Sequence, residues 1–164
     1  DTSGERFARL YRSGDGLEFD PLVDRLVENE YPNESGLVAM PDGAMLCLLR
    51  RDGQPGEALL GEARPPYETW SWRSLGVKVG GPQMIRLADG RLIACVRVYS
   101  PKVRAILAWV DTAKPSLQEA LELPSGGATS YAGMVERDGF LWVSYYSSHE
   151  GKTAIYFAKV GLKP

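Results

Sequence analysis

Short apolar runs recur along the chain in a fixed order. Leu37-Val38-Ala39-Met40, Met84-Ile85-Arg86-Leu87 and Ala132-Gly133-Met134-Val135 each precede an Asp-Gly pair. A second run follows each pair, over residues 45–49, 92–98 and 140–146. Runs this short, rich in β-branched and aromatic residues and bounded by turn residues, predict strands rather than helices. Asp42-Gly43, Asp89-Gly90 and Asp138-Gly139 predict hairpin turns, because both residue types tolerate positive φ. A third run begins fourteen residues after each turn glycine: Glu57-Ala58-Leu59-Leu60, Arg104-Ala105-Ile106-Leu107 and Thr153-Ala154-Ile155-Tyr156. The turn glycines lie 47 and 49 residues apart, an internal period in the range of propeller blades.

The pattern predicts an all-β chain of β-propeller blades, each an antiparallel sheet of three or four strands. Repeats are expected over 31–78, 79–124 and 128–162, with residues 5–20 forming the outer half of a further blade. Residues 1–164 are read as one partial propeller domain of about three blades and a half. Residues 20–29 and 115–122 carry weak helical signals and are read mainly as connections or outer strands. One such sheet cannot bury both faces, so neighbouring sheets must stack on it. Two arrangements follow from the half-blade count: this is the C-terminal half of a longer propeller, or two copies close one ring as a homodimer. The first is preferred.

Composition narrows the chemistry. The 18 glycines and 11 prolines suit many tight turns, and an apolar content of 44% suffices for a core. A net charge of −2, with charges scattered, argues against nucleic acid, which needs a basic face. No apolar run approaches the ~18 residues of a membrane span. The opening residues Asp1 to Arg6 show no signal-peptide pattern. Cys47 and Cys95 sit four and five residues after their turn glycines and are read as buried thiols in neighbouring sheets, with a disulfide or metal pair as the alternative. His149 is the only histidine, so neither a zinc site nor a Ser-His-Asp triad is expected; it is read as loop structure or a substrate contact. Phosphate-loop and dinucleotide fingerprints are absent from the sequence, and no cofactor or metal is expected.

The segment Tyr11-Arg12-Ser13-Gly14-Asp15-Gly16-Leu17-Glu18-Phe19 resembles a shortened Asp box, the hairpin turn between outer strands of sialidase blades, with Phe19 in place of the usual Trp. Pro66-Tyr67-Glu68-Thr69-Trp70-Ser71-Trp72 holds the corresponding place one repeat on and keeps only the aromatics. Box and repeat together make the chain similar to the C-terminal half of a six-bladed propeller of the sialidase superfamily. That resemblance implies a glycoside hydrolase acting on an acidic sugar, with a tyrosine nucleophile, a glutamate base and arginines on the substrate carboxylate. It also implies a secreted or periplasmic location.

Residue by residue, the resemblance makes Tyr131 the nucleophile, Glu34 its base, Arg50 the second arginine with Arg51 as neighbour, and Arg104 the third with Arg97 as rival. The first arginine and the acid/base aspartate have no counterpart here. The residues also support plainer readings: Tyr131 as a packed inner-strand aromatic, Glu34 as a solvated loop charge, Arg50 and Arg51 as a surface ion pair at a strand end, and Arg104 as an exposed strand residue. Trp70, Trp72, Trp109, Trp142, Tyr145 and Tyr146 read as packing between blades. Two further functions stay open: a catalytically incomplete propeller that binds glycan or protein, and a propeller glycosidase using a carboxylate pair, for instance on arabinans, with Glu34 as one member.

Overall fold

A computed structural model describes residues 5–162; residues 1–4, on which part of the leader reading rests, and residues 163–164 lie outside the described residues. The described residues form four antiparallel sheets and no helix. Sheet I pairs β1 (Ala8–Arg12) with β2 (Asp20–Val27). Sheet II runs β3 (Pro32–Ala39), β4 (Met45–Arg51), β5 (Leu59–Ala63), β6 (Trp70–Ser74) in chain order. Sheet III repeats this with β7 (Val79–Arg86), β8 (Leu92–Val98), β9 (Arg104–Asp111) and β10 (Ser116–Glu122). Sheet IV has β11 (Thr129–Arg137), β12 (Phe140–Ser147) and β13 (Ala154–Gly161). Both weakly helical stretches are strands, β2 and β10, at outer positions where pairing with a neighbour overrides local propensity.

Each Asp-Gly pair joins the first two strands of a sheet. At Asp138-Gly139 both residues have positive φ, +53° and +75°. At the other two pairs only the glycine does, Gly43 at +82° and Gly90 at +94°. There the aspartate instead accepts the amide two residues on, from Ala44 and Arg91.

Two-sided burial explains the unbroken apolar runs. In β4, Leu46 and Leu48 enter the core between sheets II and III, while Cys47 and Leu49 enter the core between sheets I and II. In β8, Ala94 and Val96 face sheet II, while Ile93 and Cys95 join the core against sheet IV with Leu141, Val143 and Tyr145. Cys47 and Cys95 are free and buried, and burial pushes both thiols up to about 12. Trp70 and Trp72 stack at 5.5 Å against the core between sheets I and II, and Trp109 borders the core between sheets III and IV. The first strands β3 and β11 both lie against β7, so they line a common axis.

The β1–β2 loop departs from the box reading in one respect. Ser13 accepts the amides of Asp15 and Gly16, and Asp15 accepts those of Leu17 and Glu18. Phe19, however, is 59% exposed, so the aromatic plug between strands is missing.

Truncating a side chain at the stacking surface should leave a cavity that rigid sheets cannot close. Leu48→Ala, at a fully buried position, is expected to cost about 2–5 kcal/mol in urea unfolding. Leu37→Ala, at an exposed one, is expected to cost less than about 1 kcal/mol.

Candidate functional site

Each inner strand breaks register once. The irregularity falls between Pro32 and Ser35 in β3, between Gly80 and Gln83 in β7, and between Ser130 and Gly133 in β11. A bulge releases residues from the ladder and re-aims their side chains. The three bulges contain Glu34, Gly81 and Tyr131. Tyr131 has φ +52°, a left-handed conformation that non-glycine residues adopt at a cost of about 1–3 kcal/mol and that clusters at functional sites.

These residues meet. The Tyr131 hydroxyl donates to Glu34 Oε1 at 2.5 Å, across 97 residues of chain. Arg50 Nη1 donates to Glu34 Oε2 at 2.6 Å, and the Gly81 amide reaches the same oxygen at 3.4 Å. Arg50 Nε holds Asp52 Oδ1 at 2.7 Å, and Asn33 binds the other Asp52 oxygen at 2.6 Å. Arg50 therefore serves two carboxylates at once. The Tyr131 ring stands 59% exposed, with the Tyr146 ring 5.9 Å away.

Arg97 lies one repeat on from Arg50 and is half-buried. Its Nε and Nη2 donate to Tyr99 Oη at 3.1 and 2.9 Å, and its Nη1 points at the Thr129 carbonyl at 3.5 Å. Among the described residues it has no carboxylate partner. Tyr99 also lies close enough to Arg50 to favour that residue's charge, so it stands between the two arginines. The remaining candidates are placed elsewhere. Arg51 pairs with Glu30 at 3.1 Å and donates to the Glu57 carbonyl, on the side of sheet II that faces sheet I. Arg104 is buried against the outer strand β10, paired with Glu119 at 2.6 Å and Glu122 at 3.2 Å. Its position at the start of a third strand sends it outward, so Arg97 and not Arg104 accompanies the cluster. His149 packs on Tyr156 and shares a hydrogen bond with Ser147.

The electrostatics follow from these contacts. Partial burial raises the Glu34 carboxyl, but the Tyr131 hydroxyl, Arg50 and the Gly81 amide outweigh it and hold it below the ordinary value. Asp52 is likewise held low, with Asn33 and Arg50 outweighing burial. Tyr131 is raised, chiefly because its proton is bonded to Glu34. At neutral pH the pair is thus phenol plus carboxylate, with the phenol proton shared in the bond to Glu34. Among the described residues no cluster of His, Cys, Asp and Glu could hold a metal ion.

Sequence reasoning missed Asp52, Tyr99 and the Gly81 amide. Asp52 alternates with Arg50 along one strand edge, a signal that the Arg-Arg-Asp-Gly reading as a plain strand end obscured. Gly81 sits nine residues before its turn glycine, the same offset as Glu34, but a glycine offers no chemistry to notice.

No protein-family model matches the chain, and no curated protein matches it. Solved structures do. A protein of unknown function from Dyadobacter fermentans is 21% identical with a TM-score of 0.82, over 99% of this chain and 48% of that one. The GH43B protein of a Bacteroides ovatus xyloglucan PUL is 13% identical with a TM-score of 0.70, over 92% of this chain and 33% of that one. An exo-β-1,3-galactanase from Phanerochaete chrysosporium, solved with β-1,3-galactotriose, is 8% identical with a TM-score of 0.67, over 97% and 44%. Likeness at these identities shows the fold alone: blade-like antiparallel sheets of the kind found in propeller-type glycoside hydrolases. This chain spans about half the length of the Dyadobacter structure.

The comparisons overturn the sialidase resemblance. The neighbours are described as GH43, xylanase and galactanase proteins, and the six-bladed sialidase ring is withdrawn with the Asp box that suggested it. Blade period and a polar hairpin turn are shared by unrelated propellers, so they specify the architecture and not the family.

The Tyr131–Glu34 bond fixes a pH dependence. Tyr131 has a folded pKa above its unfolded one, so its contribution to stability is complete below about 10 and is lost as pH rises through the folded value. Glu34→Gln should return the Tyr131 midpoint toward the ordinary phenol value, read from the ring ζ-carbon by NMR. An unchanged midpoint would mean that the bond is not formed in solution.

Proposed function

We propose that these sheets carry the nucleophile side of a glycoside hydrolase site acting on an acidic sugar. Tyr131 is the nucleophile, Glu34 its base, and Arg97 the cation for the sugar's acidic group. The supporting observation is the 2.5 Å bond from the Tyr131 hydroxyl to Glu34, made by a strained, exposed tyrosine. In this reading the phenol oxygen attacks the anomeric carbon while its proton passes to Glu34, and the glycosidic C–O bond breaks. A neutral nucleophile suits a sugar whose own acidic group would repel a carboxylate. The leaving-group oxygen takes a proton from an acid on the part of the fold that the half-length match leaves uncovered. Water then attacks the glycosyl-tyrosine carbon, giving a proton back to that acid's conjugate base, while the tyrosine C–O bond breaks and Glu34 returns its proton to Tyr131.

Arg50 has its charge committed to Glu34 and Asp52. Among the described residues Arg97 has only neutral acceptors, the Tyr99 hydroxyl and the Thr129 carbonyl, which leaves its charge for an anion. Arg97→Ala should weaken binding of an acidic monosaccharide by about 10-fold or more, with little change for its neutral counterpart, in calorimetric titration. Equal loss for both sugars would remove the charge-recognition role.

One observation favours a carboxylate-pair glycosidase instead. Asp52 and Glu34 share Arg50, and the neighbours include enzymes described as galactanase and xylanase. Tyr131→Phe in the protein carrying this chain separates the readings. The tyrosine route predicts a fall in kcat of at least about a thousandfold, and a trapped glycosyl adduct on Tyr131 in the parent protein. Retained turnover in Tyr131→Phe with loss in Asp52→Asn would transfer the chemistry to the carboxylates. A non-catalytic glycan-binding propeller would show binding without turnover in any variant.

A further inference from the structure

Gly81 touches the site from the middle inner strand, and two of its contacts bear on different partners. Its amide points at Glu34 Oε2, at 3.4 Å. Its α-carbon presses against the Ser130–Tyr131 backbone: a β-carbon built there would overlap Ser130 Oγ and lie 2.9 Å from the Tyr131 nitrogen and 3.0 Å from Ser130 Cβ. Backbone cannot swing aside as a flexible side chain can. Ser130 has little room either, being 4% exposed with a hydroxyl that has no hydrogen-bond partner among the described residues. Shape and not bonding holds it against Gly81.

We propose that Gly81 is a positioning residue that sets the gap between Tyr131 and Glu34. The inference rests on the reading of that pair as the reacting groups, but its test does not. With its amide Gly81 anchors the carboxylate carried by β3. With its bare α-carbon it admits the β11 bulge to the depth at which the phenol reaches Oε1. Any side chain at 81 lifts the bulge and opens the Tyr131–Glu34 bond. This assigns the glycine a role that its positive φ of +49° alone does not require, since turns elsewhere meet the same demand without neighbours.

Gly76 supplies the control. It has φ +66° and nothing within 4 Å of a built β-carbon, so Gly76→Ala carries the backbone strain without the crowding. Three variants are compared by the NMR titration of the Tyr131 ring ζ-carbon, alongside thermal unfolding. Gly81→Ala should shift the Tyr131 midpoint down toward that of a free phenol, while Gly76→Ala loses similar stability and leaves the midpoint in place. Gly81→Ala/Ser130→Ala removes the hydroxyl overlap and should recover part of the shift, the contact to the Tyr131 nitrogen remaining. A Tyr131 midpoint in Gly81→Ala equal to the parent's would overturn the proposal, as would an equal shift in Gly76→Ala. Should Gly81→Ala not fold, Gly81→Ala/Ser130→Gly carries the same test, and a parent-like midpoint there with the alanine in place would overturn it too. A positive result combined with absent turnover in the parent would uphold the positioning role and fail the hydrolase reading alone.

Discussion

A sheet whose middle strands are apolar on both faces cannot stand by itself, and that constraint organises this protein. β4 and β8 bury alternate side chains into different cores, so sheets II and III are each clamped by the one before and the one after. Stacking turned by the natural twist of sheets produces a fan. The first strand of each sheet then lies nearest the shared axis, with β7 flanked by β3 and β11. Residues separated by nearly a hundred positions come into contact as a consequence of covering apolar surface, before any polar interaction is considered.

The polar cluster exploits that geometry at a place where the ladder is interrupted. A regular inner strand would commit Glu34 and Tyr131 to a fixed side of its sheet. The bulges free them, and the cost of the Tyr131 backbone is borne by the surrounding cores. One cation serves two carboxylates, so the Glu34–Arg50–Asp52 network carries a net charge of −1. Such a network keeps the carboxylate ionised and oriented. The cation with no carboxylate partner among the described residues is Arg97, one blade further on.

The architecture was legible because it is written in periodicity: apolar runs, Asp-Gly turns and a repeat length are properties of a single sequence. The meeting of Glu34, Arg50 and Tyr131 is legible for the same reason, since position relative to a turn predicts position relative to an axis. Arg104 lies apart from them, because a third strand stands further from the axis. There Glu119 and Glu122 on β10, whose sequence looked half helical, hold the guanidinium outward. The family was not legible. A Ser-x-Asp turn forms from local hydrogen bonding in any hairpin that admits it, and its aromatic partner, the informative part, lies exposed in Phe19.

Repetition also shows how such a site is differentiated. Seven residues after each turn glycine the middle strand presents Arg50, Arg97 and Tyr146 on equivalent faces. The first is tied to carboxylates, the second to a phenol, and the third stacks near Tyr131. At the bulges the corresponding series is Glu34, Gly81 and Tyr131: an acceptor, a spacer and a donor. The spacer is as necessary as its neighbours. A third polar side chain between acid and phenol would compete for the same hydrogen bond, while a bare backbone amide reinforces it. Identical backbones thus converge on one point, and the asymmetry that chemistry needs is introduced by side chains alone.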